Sequence, residues 1–212
     1  MASTASLNDN FNDNSIDAAK WIFDAGGQVV ETNQQMEMSS ITGGNYVGIY
    51  SGHGGSIADY YDLTESSITV QIVDPGSPTL ASWEMYPIHC QQSNHQNNLW
   101  MMIRLDSSVK KIHAYKKVLN VDTDLASVNF DANLHKWFRI RETGGTTFWQ
   151  YSTNGISWTT LWSETTPITI TAMQMTCFIG TWQAEGSTTK GIYDNYNLVP
   201  AGRVGSLFIM FQ

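Results

Sequence analysis

Apolar and polar residues alternate with a period of two along most of the chain, as in strands that bury one face and show the other to water. Turn chemistry breaks the alternation roughly every ten residues, the rhythm of a sandwich or barrel rather than of a parallel α/β sheet. The pattern predicts strands over 27–32, 34–39, 45–50, 67–74, 81–86, 99–105, 109–119, 136–142, 146–152, 156–162, 169–182 and 190–199. Helical spacing is confined to Ser15–Trp21, where Ser15 or Asp17 is placed to cap a single turn. Gly144-Gly145 and Asn154-Gly155 mark two hairpins, which make a three-strand meander from Lys136 to Trp162.

The same alternation assigns faces. In 169–182, Met173, Met175, Cys177 and Ile179 form the core set, leaving Gln174, Thr176, Phe178, Gly180 and Trp182 outward. In 99–105, Leu99, Met101, Ile103 and Leu105 point in, and Trp100, Met102 and Arg104 face away. In 67–72, Ile68, Val70 and Ile72 point in. In 81–86, Ala81, Trp83 and Met85 oppose the more polar Ser82, Glu84 and Tyr86, which are placed outward.

Composition narrows the picture. The 212 residues are 42% hydrophobic, 12% aromatic and only 14% charged, so the chain has ample apolar area for a core and a surface built mainly of neutral polar residues. A net charge of −8 offers nucleic acid or an anionic membrane no cationic surface. Cys90 and Cys177 are too few for a disulfide framework and read as buried free thiols. The start, Met1-Ala-Ser-Thr-Ala-Ser6, has no cationic or apolar signal region, so synthesis in a reducing cytosol is expected. A virion protein assembled inside a host cell fits that expectation.

Three segments resemble the bacterial and phage type of the concanavalin A-like (laminin-G-like) jelly-roll superfamily. Asn10-Phe11-Asn12-Asp13-Asn14-Ser15-Ile16-Asp17, followed by Lys20-Trp21, is similar to its opening motif. Lys136-Trp137-Phe138-Arg139-Ile140-Arg141, then Phe148-Trp149-Gln150-Tyr151-Ser152-Thr153-Asn154-Gly155 and Trp158, resembles its meander. Ile192-Tyr193-Asp194-Asn195-Tyr196-Asn197-Leu198 resembles its closing strand. The resemblance implies an all-β, antiparallel, two-sheet jelly-roll sandwich with first and last strands paired. It also implies one concave sheet, on which many relatives bind glycan. The superfamily includes hydrolases, lectins, carbohydrate-binding modules and structural virion modules, so fold alone does not choose among them. The expected division is an arm over 1–9, one jelly-roll domain over 10–199 and an apolar tail over 200–212.

Glucanase relatives carry paired carboxylates on one strand as E-x-D-x-x-E or E-x-D-x-E, and no such strand occurs here. Glu84 is alone on its strand, so the chain is expected not to be an enzyme. His53, His89, Cys90 and His95 are zinc-type ligands, but the H-C-x4-H spacing matches no strong pattern, and loop histidines in water are the simpler reading. No cofactor is expected. A structural calcium on Asp9, Asp13 and Asp17 is the one metal the resemblance leaves open, against a role in turns. Ser51-Gly52-His53-Gly54-Gly55 lacks the Lys-Ser/Thr of a phosphate loop.

Aromatic residues are the better lead, because sugar rings stack on them and neighbouring polar groups bond the hydroxyls. Glu84, Tyr86, Trp100, Arg104, Gln174, Phe178 and Trp182 are the candidate carbohydrate-binding set. The competing role for that face is packing on a neighbouring subunit or on loops. Leu207, Phe208, Ile209, Met210 and Phe211 form an apolar, β-prone tail that must be covered by its own domain or by a partner. The leading expectation is a non-enzymatic virion-associated module, a capsid decoration or tail protein, located on the phage particle. It would bind surface glycan or neighbouring virion proteins and form a homo-oligomer, without nucleic acid or membrane partners. A free carbohydrate-binding module or lectin is the alternative, and a glycoside hydrolase is the lesser one.

Overall fold

The computed structural model describes residues 1–23, 27–39, 46–77, 83–181 and 189–198. Two antiparallel sheets face each other. The first runs, in spatial order, Val121–Asn129, Val109–Val118, Asn98–Asp106, Trp83–Gln91, Gln174–Thr181, Tyr46–His53 and Trp21–Phe23, with Ile57–Ala58 paired to Tyr46–His53. The second runs Thr159–Thr165, Thr146–Ser152, Trp137–Thr143, Ser67–Asp74, Lys190–Asp194, Gln35–Ser39 and Val29–Thr32. The all-β sandwich expected from the period-two pattern is therefore the observed architecture.

Side chains at alternate positions of both sheets fill the space between them. Met173, Met175, Cys177, Ile179, Leu99, Met101, Ile103, Ile68, Val70, Trp83 and Met85 are all buried there, on the faces the alternation assigned. Ala81 and Ser82 lie outside the described residues. Cys90 and Cys177 are buried free thiols. At one rim the sheets are tied by an ion pair, with Lys116 Nζ at 2.9 and 2.8 Å from the two Glu164 oxygens.

The first nine residues, expected as an arm, lie against the sandwich. Ala2–Ser3 pairs with Tyr61–Asp62, Leu7 joins the core, and Asp9 bridges to Tyr196. Asn197 closes this seam, because its amide nitrogen donates to the Thr4 and Leu7 carbonyls while its oxygen accepts from the Thr69 amide. The single turn expected within Ser15–Trp21 is present. The Asp17 carbonyl accepts from the Lys20 and Trp21 amides, and Trp21 then starts a strand.

Two further differences have local causes. A strand over Val121–Asn129 was not expected, because it is an edge strand with no buried residue and so no apolar alternation. Its hairpin turns at Leu119 and Asn120, both at positive φ without glycine. The strand expected over 81–86 continues to Gln91, through a bulge at Tyr86-Pro87. Thr176 pairs with His89 and Phe178 with Tyr86, so this strand fits one more residue between those pairs than its neighbour does. Proline is tolerated there because a bulged residue owes no ladder N–H. The Pro87 carbonyl instead accepts from Cys177 Sγ at 2.8 Å.

Candidate functional site

The bulge decides what the outer face of the first sheet presents. Before it, Glu84 and Tyr86 point outward. After it the phase is reset, so His89 and Gln91 point outward while Ile88 and Cys90 are buried. A groove of 440 Å³ lies over this face. Tyr46, Tyr50, Thr176 and Phe178 line it from one side, Tyr86, His89 and Gln91 from the middle strand, and Asn98, Trp100 and Lys117 from the other side.

An aromatic ribbon crosses the sheet here. Tyr86 stacks on Phe178 with centroids 4.2 Å apart, and Tyr46 meets both rings edge-on. His89 bridges from Phe178 to Trp100, and Trp100 stacks on Tyr115 at 5.2 Å. Trp100 is only 7% exposed, so it serves as wall, while the half-buried Tyr46, Tyr50, Tyr86 and Phe178 offer ring surface to the groove. Gly48 allows this packing: a Cβ there would collide with the Cys177 carbonyl and with Phe178.

The polar groups of the floor are held in fixed orientations. Gln91 donates to Gln174, and Gln174 donates to the Ser51 carbonyl. His95 Nδ1 donates to the Gln91 side-chain amide oxygen, Oε1, at 3.0 Å. The Thr176 hydroxyl spends its one proton on the His89 carbonyl, so His89 Nδ1, 3.0 Å from the Thr176 oxygen, must be the donor. His89 is thereby left with Nε2 as an acceptor. Burial pushes the His89 ring down to about 3, which keeps it neutral. At the rim, one Glu84 oxygen accepts from the Tyr46 and Tyr86 hydroxyls at 2.8 and 2.6 Å. Burial, with the Glu84 charge added, raises both phenols well above their usual range.

The candidate set is thus partly assembled. Tyr86, Trp100 and Phe178 line the groove, Glu84 clasps its tyrosines, and Gln174 braces Gln91. Arg104 does not join them: its guanidinium is drawn to Asp106 at 2.8 Å and lies over Tyr115. Trp182, and the tail residues Leu207, Phe208, Ile209, Met210 and Phe211, lie outside the described residues. His89 and His95 were read as loop histidines in water; His89 is instead a buried strand residue of the groove, and His95 is locked onto Gln91. Pro87 hid this, since it reads as the end of a strand.

Asp9, Asp13 and Asp17 each accept backbone amides in their own turns, and Asp9 also accepts from the Trp21 indole. Among the described residues, no three His, Cys, Asp or Glu side chains are grouped to hold a metal ion. Nor is any helix among them long and apolar enough to cross a membrane.

The fold is an antiparallel two-sheet β-sandwich with a groove on its first sheet. No protein-family model and no curated protein matches the chain. Among solved structures it is similar to the GH43 protein BlXynB from Bacillus licheniformis, with a TM-score of 0.62 and 14% identity over 90% of this chain and 38% of that one. The chain thus spans well under half the length of that protein. It is also similar to a legume lectin-like domain from Entamoeba histolytica, with a TM-score of 0.55 and 8% identity over 84% and 88% of the two chains. A third neighbour is the CBM2 module of the evolved Dit of Lactobacillus casei BL23 phage J-1, with a TM-score of 0.52 and 10% identity over 82% and 83%. These findings correct the expectation of a chain that is not an enzyme. That expectation rested on a missing strand motif, and GH43 glycoside hydrolases share this sandwich.

Proposed function

We propose that the groove on the first sheet binds a neutral glycan chain, and that the protein is the glycan-recognition module of a phage particle. The observation that carries the reading is the groove itself: half-buried aromatic rings beside a floor of amide and imidazole groups already fixed in orientation. Ring faces suit the C–H faces of a sugar, and acceptors such as His89 Nε2 suit its hydroxyls. The groove also contains little net charge, since Lys117 is 3.4 Å from Asp122. The phage assignment is supported by the likeness to the phage Dit module and by the resemblance of the three sequence motifs to phage-type jelly rolls.

The test is a glycan array, including bacterial surface polysaccharides, followed by calorimetry on the best binder with wild type and Phe178→Ala. Phe178 lies at the centre of the ribbon, so its loss should weaken binding about tenfold or more, the worth of one stacking contact. The same samples are assayed for released reducing ends, with Glu84→Gln as control, because the fold is one that hydrolases use. A folded wild type that binds no glycan, or a Phe178→Ala variant that binds as well, refutes the reading.

A further inference from the structure

The outer face of the second sheet holds a different kind of site. Arg139 and Arg141 alternate with the core residues Phe138 and Ile140, so both point away from the core. Across the ladder they pair with Thr69 and Ser67. These four residues, with Trp158 and Asn197, line a cavity of 350 Å³.

Neither arginine forms an ion pair among the described residues. Arg139 uses Nε on Gln150 at 2.9 Å and lays its guanidinium on the Trp158 ring at 4.1 Å. That grip fixes the fork and leaves its terminal nitrogens without a hydrogen-bond partner among the described residues. Arg141 is exposed and has no ion pair among them. Arg104, by contrast, is paired with Asp106. Glu65 lines the same cavity, and its carboxyl is held down by the Gly144 amide and the Thr143 hydroxyl, from which its oxygens accept, and in part by the Arg141 charge, but it forms no ion pair among the described residues. Thr69 Oγ1 also has no hydrogen-bond partner among the described residues. Burial and the like charge of Arg141 push Arg139 down to about 10, a repulsion that an anion would relieve.

We propose that this cavity binds an oxyanion group, a carboxylate, sulfate or phosphate, held between the Arg139 and Arg141 guanidiniums. The planar fork of arginine fits such groups in bidentate fashion. The cavity is separate from the groove, and the inference does not depend on the glycan reading.

The experiment is calorimetric titration of the full chain at fixed ionic strength with four probes: sodium sulfate, sodium phosphate, glucuronate and glucose 6-sulfate, with sodium chloride as blank. Saturable binding is expected, weakened about tenfold in Arg141→Gln by loss of one charge-assisted contact. Binding of the inorganic ions means that the bare oxyanion suffices. Binding of the sugar-borne groups alone places the ring beside Trp158. Either supports the proposal, and Phe178→Ala in the groove should leave it unchanged. Arg139→Gln is the second variant; if it does not fold, the exposed Arg141 decides alone. No heat above the chloride blank from any probe, or full binding by Arg141→Gln, overturns the proposal.

Discussion

Acid should destabilise this protein through His89 without touching the groove. In the folded chain the ring is held down to about 3 by burial, against an ordinary value of 6.5. The unfolded state therefore takes up a proton that the folded state refuses, and stability falls as pH drops from 6.5 toward 3. One pH unit of such a mismatch is worth about 1.4 kcal/mol, so going from neutral pH to about pH 5 costs roughly 2 kcal/mol at this residue. His113 and His135 are also pushed down by burial and add to the wild-type slope. The readout is therefore a difference. Urea unfolding of wild type and His89→Asn is followed over that range, and the two stabilities should converge by about 2 kcal/mol. NMR of the folded protein should find the ring neutral, with the proton on Nδ1, throughout. Parallel stability curves, or a folded-state midpoint for His89 near 6.5, would refute the reasoning.

Three further outcomes are expected. Gly48→Ala should cost about 3 kcal/mol or more, because the new methyl meets backbone as well as Phe178 and neither strand can yield; an unchanged melting temperature would count against the close approach. Above about pH 10 stability should decline, since unfolded tyrosines ionise while folded Tyr46 and Tyr86 keep their protons, and Tyr46→Phe should flatten that decline in alkaline urea titrations. Removal of residues 201–212 should reduce self-association in sedimentation velocity if the apolar tail docks on another copy, and an intact chain that stays monomeric at high concentration excludes that docking.

Strands that bury one face were legible in the sequence because burial writes a period of two into them. The strands at Asn98–Asp106, Gln174–Thr181 and Ser67–Asp74 show this, with Met101, Cys177 and Val70 where the alternation put them. The meander was legible through Gly144 and Gly145, whose positive φ values make the tight turn. Val121–Asn129 was not, since an exposed edge strand has no reason to alternate. Part of the groove was visible as Tyr86, Trp100 and Phe178. His89, Gln91 and His95 were hidden behind Pro87, because a bulge changes the phase of a strand without leaving a composition signal. Arg104 was misplaced for a different reason: alternation gives its face, but the carboxylate of Asp106 decides where its charge goes.

The bulge at Tyr86-Pro87 also sets how the two halves of the groove floor lie against each other. A single-codon deletion of Pro87 would leave every remaining side chain on its present face, because outward Tyr86 would be followed directly by inward Ile88, with His89 and Gln91 still outward. What the deletion removes is the local kink and the added twist that a bulge brings. The tilt between the Glu84–Tyr86 half and the His89–Gln91 half therefore hangs on one residue, and a lineage can reshape the groove there without changing a single group that it offers.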